Sequence, residues 1–510
     1  PTRVLSTKFQ LRPVTYSDLK AVIRSLKART SPGPDSLPAY LFQRFIGKLS
    51  PSLLYIINKS FTSGMVPHSW KTAEVVPIFK GKDDPKSACN YRPISLLNVV
   101  SKITERLVSF QLTQFLDDSH ILSDAQFGFR AHHSVDHALI TLTESIRSSV
   151  DNGEVCILVS LDLSKAFDSV SHAILLQKLS QYGIEHPWFA NYLSGRTQYV
   201  RGCDEIGVVP AGVPQGSILG PLLFNLFVND LPTVVHGLCT IIQYADDTQI
   251  LVSGPPHDIS SLISRLQAVL QRLSEWFSRN LLALNVSKSQ VVVFGSRGTV
   301  KSVNLRSLRI FGSVVPVKTS LRSLGVTLDN HLTWSTHING VISKCTGMLV
   351  RLSQLRRVMP LKTIVLLINS LVFPHIRFCL ALWGNCSLTQ GKRINKVLKF
   401  ARRIAGRETN KLAWHGDLTL EYRIAAVKVI RQCLLFPECM PSLLSSIFQM
   451  RQSDRVTRQA DNLDLAMPKT EFKKASFSYS GTKLWNSLPV HVRSFSKPKL
   501  IEYSENDAVN

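Results

Sequence analysis

The residues of this sequence best suited to chemistry are three aspartates, each at the end of an apolar, β-prone run. Asp246 and Asp247 interrupt the run 240–252, whose two halves we predict to be the strands of a short hairpin. Asp162 directly follows the apolar run Val155–Leu161, a predicted strand. Carboxylates at the tip of a buried hairpin are costly unless a cation compensates them, and a divalent metal is the usual compensator. A solvated turn is the alternative for an Asp-Asp pair taken alone.

Acids that are far apart in sequence can converge at the ends of buried strands. Together they can then share two Mg²⁺ ions, which activate an attacking oxygen and stabilise a leaving one in phosphoryl displacement. Between Asp162 and Asp246 lies the loop Gly212-Val-Pro-Gln215-Gly216-Ser217. Its glycines permit close backbone approach, which we expect a substrate base or phosphate to require.

The elements that must position these residues alternate between helix and strand up to about residue 330, which predicts an α/β or α+β core. We predict helices over 19–28, 40–61, 101–116, about 164–181, 221–229 and 259–277, and strands over 73–79, 155–161 and 290–294. Ile103, Leu107, Phe110 and Phe115 are expected near one face of their helix. Past Trp334 the pattern becomes helical and basic, and 477–488 is an aromatic segment without a clear fold.

The charge of the chain favours a polyanionic partner. Its 60 Lys and Arg against 35 Asp and Glu give +25 over 510 residues, which suits nucleic acid or an anionic membrane surface. Between His331 and Ala460 there are 20 Lys and Arg and 5 Asp and Glu, so this stretch supplies +15. The apolar stretch 364–383 is interrupted by polar residues, and we interpret it as a packed helix. The nine cysteines lack zinc spacing and are expected to be reduced, intracellular and mostly buried.

Four cations in the basic region recur at helical spacing: Lys392, Lys396, Lys399 and Arg403. Intervals of three and four residues predict one stripe along a helix. We expect the stripe to follow a nucleic-acid backbone, with a merely solvated helix face as the alternative.

Three motifs resemble motifs A, B and C of reverse transcriptases in order and spacing: Asp162 to Phe167, Pro214-Gln215-Gly216 and Tyr244-Ala245-Asp246-Asp247. The surrounding phrases look more specifically like the non-LTR (LINE-type) retrotransposon polymerases of the jockey and CR1 group. These phrases are Asn90-Tyr-Arg-Pro-Ile-Ser-Leu-Leu97, Gln126-Phe-Gly-Phe-Arg130, Leu161-Asp-Leu-Ser-Lys-Ala-Phe-Asp168, Gly212-Val-Pro-Gln-Gly-Ser217, Leu219-Gly-Pro-Leu-Leu-Phe224, Asn229-Asp-Leu231 and Leu324-Gly-Val326. The resemblance runs from about residue 31 to 334, and more loosely to 488.

This resemblance implies an α+β right-hand polymerase with fingers, a palm containing an antiparallel sheet, and a helical thumb. It implies an N-terminal helical extension over 1–70, fingers and palm over 71–330, a basic helical thumb or connection over 331–460, and a C-terminal segment of unknown fold over 461–510. The implied activity is that of an RNA-directed DNA polymerase using two Mg²⁺ ions, with Mn²⁺ as the alternative. Its partners would be an RNA template, a DNA primer or target and dNTPs, with no membrane. We expect intracellular action, in the nucleus, with a cytoplasmic ribonucleoprotein stage.

The resemblance also assigns roles at the metal site. Asp162 and Asp246 would be the metal ligands and Asp247 a supporting acid, while the backbone carbonyl of Leu163 would bind the metal on the incoming triphosphate. Phe167 looks like the aromatic gate that rejects a ribose 2′-hydroxyl, with ordinary core packing as the alternative.

Further positions match substrate-binding residues of the family. Lys80 and Arg92 would grip the triphosphate, with Lys82 as a substitute for Lys80. Gln215 and Gly216 would line the nascent base pair and the template. Lys288 would donate a proton to pyrophosphate, or be a surface lysine without a role. Arg130 would touch the template backbone, and Asp168 would favour the first turns of its helix.

Two other functions remain open from the sequence. One is a catalytically degenerate or domesticated relic that binds nucleic acid. The other is a different palm polymerase, of the group II intron or telomerase type, which the jockey-like phrases disfavour. The chain begins at Pro1, so we interpret it as a fragment, and because nothing in it resembles an endonuclease we do not predict nicking of DNA by this chain.

Overall fold

The computed structural model describes residues 8–81, 84–203, 205–414, 416–451, 462–465 and 467–493. The chain divides into two compact units whose segments alternate along the sequence. The first unit comprises Pro1–Phe129, Leu163–His236 and Arg272–Asn285, and the second comprises Arg130–Asp162, Gly237–Gln271 and Val286–Asn510. The linear division at residues 70, 330 and 460 stays a prediction.

The described residues contain strands and helices in both units. The strands are β1 (Thr72–Phe79), β2 (Tyr91–Leu96), β3 (Val155–Leu161), β4 (Arg196–Val200), β5 (Gly207–Val209), β6 (Thr240–Tyr244), β7 (Asp247–Gly254), β8 (Gln290–Phe294), β9 (Ser307–Ile310), β10 (Ser313–Lys318), β11 (Ser320–Ser323) and β12 (Val326–Asp329). The helices up to residue 303 are α1 (Tyr16–Ser25), α2 (Ala39–Arg44), α3 (Ile46–Ser63), α4 (His68–Lys71), α5 (Val99–Asp118), α6 (Val135–Asp151), α7 (His172–Gln181), α8 (Pro187–Leu193), α9 (Gly220–Val228), α10 (Leu231–Val234), α11 (Ile259–Arg279) and α12 (Arg297–Val303). The later helices are α13 (Ser335–Leu355), α14 (Leu361–Leu367), α15 (Phe373–Arg377), α16 (Leu380–Trp383), α17 (Leu388–Ala405), α18 (Leu418–Leu435), α19 (Ser442–Ile447), α20 (Glu471–Lys474), α21 (Phe477–Ser487) and α22 (Val490–Arg493).

The second unit is organised around a six-stranded sheet in the order β6-β7-β3-β8-β10-β9. Strand β3 pairs antiparallel with both β7 and β8, and six of its seven residues are buried. Because both faces of this central strand are covered, neither face is exposed to solvent and neither needs polar residues. This explains its continuous apolar run. The predicted strands over 155–161 and 290–294 are confirmed.

The predicted hairpin is also confirmed. Strands β6 and β7 pair antiparallel, and the closing pair is Tyr244 with Asp247, so that Ala245 and Asp246 form a two-residue loop. Such a tight loop suits positive φ at its first residue, and Ala245 has φ of 55°.

The first unit contains a four-stranded sheet in the order β2-β1-β4-β5. Strand β1 pairs antiparallel with β2 and parallel with β4. The predicted strand over 73–79 is confirmed, with β1 starting one residue earlier.

Two predicted helices and one predicted helix face differ from the structure. The helix expected over about 164–181 begins only at His172, after a 3₁₀ turn over Ala166–Ser169, because Lys165 adopts a left-handed φ of 50°. The helix expected over 40–61 is two helices, broken at Phe45. Phe110 is 71% exposed, so it does not share the buried face of α5 with Ile103 and Leu107.

The chain past residue 334 is helical, as predicted, and the aromatic segment 477–488 is not irregular. It forms α21, which packs on α18 and α6 within the second unit. The contact between α6 and the C-terminal segment is polar. Glu144 accepts hydrogen bonds from Lys473 and from the backbone and side chain of Ser478. Asp151 accepts them from Thr470.

The stretch 364–383 folds as the short helices α14, α15 and α16 with a π-helical turn over Ile368–Val372. Across the described ranges, none of the helices combines the length and the apolar character that crossing a bilayer requires. All nine cysteines are unpaired; four are buried and two, Cys89 and Cys203, are exposed.

Candidate active site

The three predicted aspartates lie at one end of the sheet of the second unit. Leu161, the last residue of β3, pairs with Thr248 of β7. Continuing that register sets Asp162 opposite Asp247, where side chains of an antiparallel pair share one face of the sheet. Asp246 precedes Asp247 in the hairpin loop. Acids more than eighty residues apart in sequence are thus brought to one strand end.

At this end of the sheet the acids repel one another. The pKa of Asp247 is raised to about 6, first by desolvation and then by the negative charges of Asp246 and Asp162. The Oδ2 atom of Asp162 is buried, and no hydrogen-bond donor in the described residues reaches it. Its ion-pair partner is Lys288, whose Nζ lies 3.5 Å away, beyond hydrogen-bonding distance for this pair.

These carboxylates suit a divalent cation by charge and by donor type. Carboxylate oxygens are the ligands that Mg²⁺ prefers, and a cation would relieve the repulsion that raises the pKa of Asp247. The acids are not arranged as a ready chelate, since in the described parts of the chain no group of three or more His, Cys, Asp or Glu side chains is close enough to hold a metal. The fit to a metal therefore rests on the buried Oδ2 of Asp162, which accepts no hydrogen bond from the described residues, and on the repulsion between the acids.

Lys288 lies on the 3₁₀ turn Val286–Lys288, just before β8. Its side chain is 65% exposed, and no pattern in the sequence indicated the contact with Asp162. Its role as a proton donor stays a prediction.

In the first unit, Phe167 lies in an aromatic stack. Its ring stacks on Phe224 of α9, with centroids 4.5 Å apart and planes at 19°. The ring of Phe129 meets it edge-on, with centroids 6.2 Å apart and planes at 88°.

Leu163, whose carbonyl was predicted to bind metal, is buried and forms an isolated antiparallel bridge with Leu284.

The loop over 212–217 is held by the protein backbone on both sides. Gly212 has φ of 90°, and a Cβ there would lie 2.8 Å from the carbonyl oxygen of Asp168. Gly216 has φ of 118°, and a Cβ there would lie 2.6 Å from the carbonyl oxygen of Ser95. We expected these glycines to admit a base or phosphate; the close approaches that the structure shows are instead to the chain's own backbone.

Gln215 connects this loop to the 3₁₀ turn that carries Phe167. Its Nε2 donates to Oδ1 of Asp168 at 2.8 Å, and its carbonyl accepts from the backbone N–H of Ser95 at 2.7 Å. Desolvation raises the pKa of Asp168, and the Gln215 hydrogen bond and the charges of Lys165 and Lys80 oppose the rise. Asp168 thus orients Gln215, a role that the sequence did not indicate.

Glu105 is a positioning residue that sequence reasoning missed. This buried carboxylate of α5 accepts hydrogen bonds from the backbone N–H groups of Ile218 (2.6 Å) and Leu219 (3.2 Å), directly after the loop, and from the Tyr192 hydroxyl (3.0 Å). Burial raises the pKa of Glu105, and the charge of buried Arg196 and these donors oppose the rise. No local pattern in the sequence marks this residue.

Lys80 and Arg92 lie at the same end of the β1–β2 ribbon. Arg92 pairs with Ile78, and the N–H of Lys80 donates to the carbonyl of Asn90, so the two cations are diagonal neighbours on one face. Both are exposed. The Lys80 ammonium donates to the Cys89 carbonyl at 2.7 Å. Lys82 lies outside the described residues.

The predicted basic stripe is confirmed as a helix face. Lys392, Lys396, Lys399 and Arg403 all lie on α17 and are all exposed, whereas the residues between them supply its buried side. Arg130 is half-buried at the start of the second unit, and its carbonyl accepts a hydrogen bond from the N–H of His133.

Comparison with known proteins gives a family. Residues 82–328 match the family described as reverse transcriptase (RNA-dependent DNA polymerase). The chain is similar to the probable RNA-directed DNA polymerase from transposon BS of Drosophila melanogaster, with 30% identity over 78% of this chain and 45% of the relative. It is 32% identical to the probable RNA-directed DNA polymerase from transposon X-element of the same species, over 82% of this chain and 47% of the relative. The RNA-directed DNA polymerase from mobile element jockey, also of that species, is 30% identical over 78% and 44%. The chain thus spans about half the length of the curated relatives it matches.

Proposed function

The chain belongs to the reverse transcriptase family of non-LTR retrotransposons, and from this premise we propose that it is an RNA-directed DNA polymerase. It adds dNTPs to a primer 3′-hydroxyl on an RNA template by two-metal phosphoryl transfer. The gathering of Asp162, Asp246 and Asp247 at one strand end carries this proposal, because a bound cation would relieve the repulsion between these acids.

Enzymes of this family depend on divalent metal ions. We propose Mg²⁺, with Mn²⁺ as a substitute, because the donors are all oxygen. Asp162 and Asp246 would hold two ions with the Leu163 carbonyl, and Asp247 would support them. The ions would lower the pKa of the primer hydroxyl and neutralise charge on the leaving pyrophosphate.

The nucleotide would be bound by the residues that match the family's substrate-binding positions. Phe167 would reject the ribose 2′-hydroxyl, and Gln215 and Gly216 would line the nascent base pair. Lys80 and Arg92, exposed on one face of a ribbon, suit a triphosphate. Lys288 would donate a proton to pyrophosphate.

The nucleic acid would follow the exposed cations of α17. Lys392, Lys396, Lys399 and Arg403 all face solvent, as phosphate contacts require, and Arg130 would add a contact to the template. The partners would be an RNA template and a DNA primer or target. The site of action would be the nucleus, after a cytoplasmic ribonucleoprotein stage.

The deciding experiment is primer extension on an RNA template with and without Mg²⁺. Asp246→Asn should reduce extension on the order of a thousandfold or more, since metal stabilisation of the transition state is worth several kcal/mol. Asp118→Asn is the matched control, because Asp118 is an exposed aspartate at the end of α5. Metal-independent extension, or equal extension by wild type and Asp246→Asn, would contradict the proposal. RNA binding without extension would favour the relic.

A further inference from the structure

Phe129 has an unusual conformation for an aromatic residue. It has φ of 56°, in the left-handed region, and is 54% exposed. A bulky residue with positive φ is strained. Because the Phe129 ring is half exposed, it gains only part of the free energy that full burial would give. Such a residue persists only where its surroundings impose it, and these positions concentrate at functional sites.

Residues of α9 impose this conformation on Phe129. Asn225, fully buried, donates from Nδ2 to the carbonyl of Gly128 at 2.7 Å, one residue before Phe129. The N–H of Gly128 donates to Oε1 of Gln126 at 2.9 Å. One turn after Asn225, the Asn229 side chain bonds the backbone of Ile121 and Ser123 at 2.8 and 2.7 Å. The loop before Phe129 is thus tied to the helix and its C-terminal end at successive points.

The same helix supplies the other wall of the aromatic stack. Phe224, next to Asn225, stacks flat on one face of Phe167, while Phe129 meets Phe167 edge-on. Offset-stacked and edge-to-face arrangements are the two preferred geometries of aromatic pairs. The Phe167 ring is therefore fixed from two directions, and α9 sets both contacts.

We propose that Phe129 is a specificity-determining positioning residue: its ring holds Phe167 where Phe167 excludes a ribose 2′-hydroxyl. This inference rests on the proposed polymerase function. Phe129 itself does not touch the sugar. Without its ring, Phe167 can swing away from Phe224, and a ribonucleotide is accepted more readily.

The test compares single-nucleotide insertion of a dNTP and the matching rNTP on an RNA template, as the ratio of kcat/KM values. Phe129→Ala should lower this ratio about threefold to tenfold, the range that one aromatic pair is worth. Phe167→Val should lower it further, and the double variant should be no less selective than Phe167→Val alone, because both changes act through one ring. Phe129→Tyr, which keeps the ring, should retain the wild-type ratio.

Phe110→Ala is the control, because Phe110 is an exposed aromatic on α5 in the same unit. It should leave the ratio, the KM for primer–template and the thermal unfolding midpoint unchanged.

Four results would overturn the inference while leaving the polymerase function intact. These are an unchanged ratio in Phe129→Ala, an unchanged ratio in Phe167→Val, additive losses in the double variant, and a Phe129→Ala effect confined to the KM for primer–template. The last would make Phe129 a nucleic-acid contact. Failure of the wild-type protein to extend any primer would instead contradict the proposed function.

Discussion

Two regions of the molecule hold their polar groups in opposite ways. At the acid end of the sheet in the second unit, Asp162 has a buried oxygen without a hydrogen bond from the described residues, and Asp247 has its pKa raised by neighbouring acids. At the loop 212–217 of the first unit, the Gln215 side chain and carbonyl are both bonded, and Glu105 bonds the next backbone N–H groups. In the first region the acids repel one another, and in the second several hydrogen bonds fix the position of each group.

This difference matches what each region would do. Negative charge that repels itself in the free protein is available to bind cations, so incomplete compensation suits a metal site. Selection of a nucleotide depends instead on geometry, and a small displacement weakens it, so rigid support is needed. Removing a group that holds the loop in place should therefore lower the stability of the first unit. Removing a carboxylate charge should raise the stability of the second.

The largest effect is expected at Glu105. Glu105→Ala leaves two backbone N–H groups, the Tyr192 hydroxyl and the charge of Arg196 buried without their partner. Breaking such a pair lowers the free energy of unfolding by about 3–5 kcal/mol, measurable by urea denaturation. Glu105→Gln is the matched control, since its oxygen can accept both N–H groups while its amide donates to Tyr192. It removes only the charge that faces Arg196, and we expect a smaller loss of about 1–2 kcal/mol. Equal losses in the two variants would mean that the negative charge facing Arg196, which both changes remove, and not the hydrogen bonds, gives Glu105 its role.

The next effect is expected at Gly216. A Cβ there meets the Ser95 carbonyl at 2.6 Å and imposes strain at φ of 118°, so Gly216→Ala should lower the free energy of unfolding by about 2–3 kcal/mol. Gly202 has φ of 87°, but a Cβ there would meet nothing within 4 Å, so Gly202→Ala isolates the strain at about 1 kcal/mol. A loss no greater at Gly216 than at Gly202 would show that the loop yields easily, against the rigidity inferred for it.

The acid end was largely predictable from the sequence. Apolar runs and helical spacing are local properties of the chain. They predict strands β3 and β8, the hairpin and the basic face of α17. The three acids were visible because they interrupt or end those runs.

The support of the loop was not predictable, because its partners are distant in sequence. Glu105 lies 87 residues from Tyr192 and 113 from Ile218, and nothing near it marks the contact. The first part of the helix expected over about 164–181 failed for the same reason, whereas its last ten residues form α7. The N–H groups of Gly212 and Val213 donate to the carbonyls of Val170 and Phe167, and these tertiary bonds hold a turn where local propensity favours helix.

The smallest effect, and the one of opposite sign, is expected at Asp247. Its folded-state pKa of about 6 lies above its ordinary value of 3.8, so the folded protein holds the proton more tightly than the unfolded chain does. The contribution of Asp247 to stability is therefore complete below pH 4 and is lost as the pH rises through 6.

At pH 8 without metal, Asp247→Asn should raise the free energy of unfolding by about 1–2 kcal/mol, a value reduced from the full shift because the side chain is partly exposed. At pH 4 the variant and the wild type should be equally stable. Added Mg²⁺ should stabilise the wild type more than the variant, because the cation compensates a charge that the variant lacks. Destabilisation by Asp247→Asn at pH 8 would mean that internal bonds already satisfy this carboxylate, and the contrast between the two regions would fail.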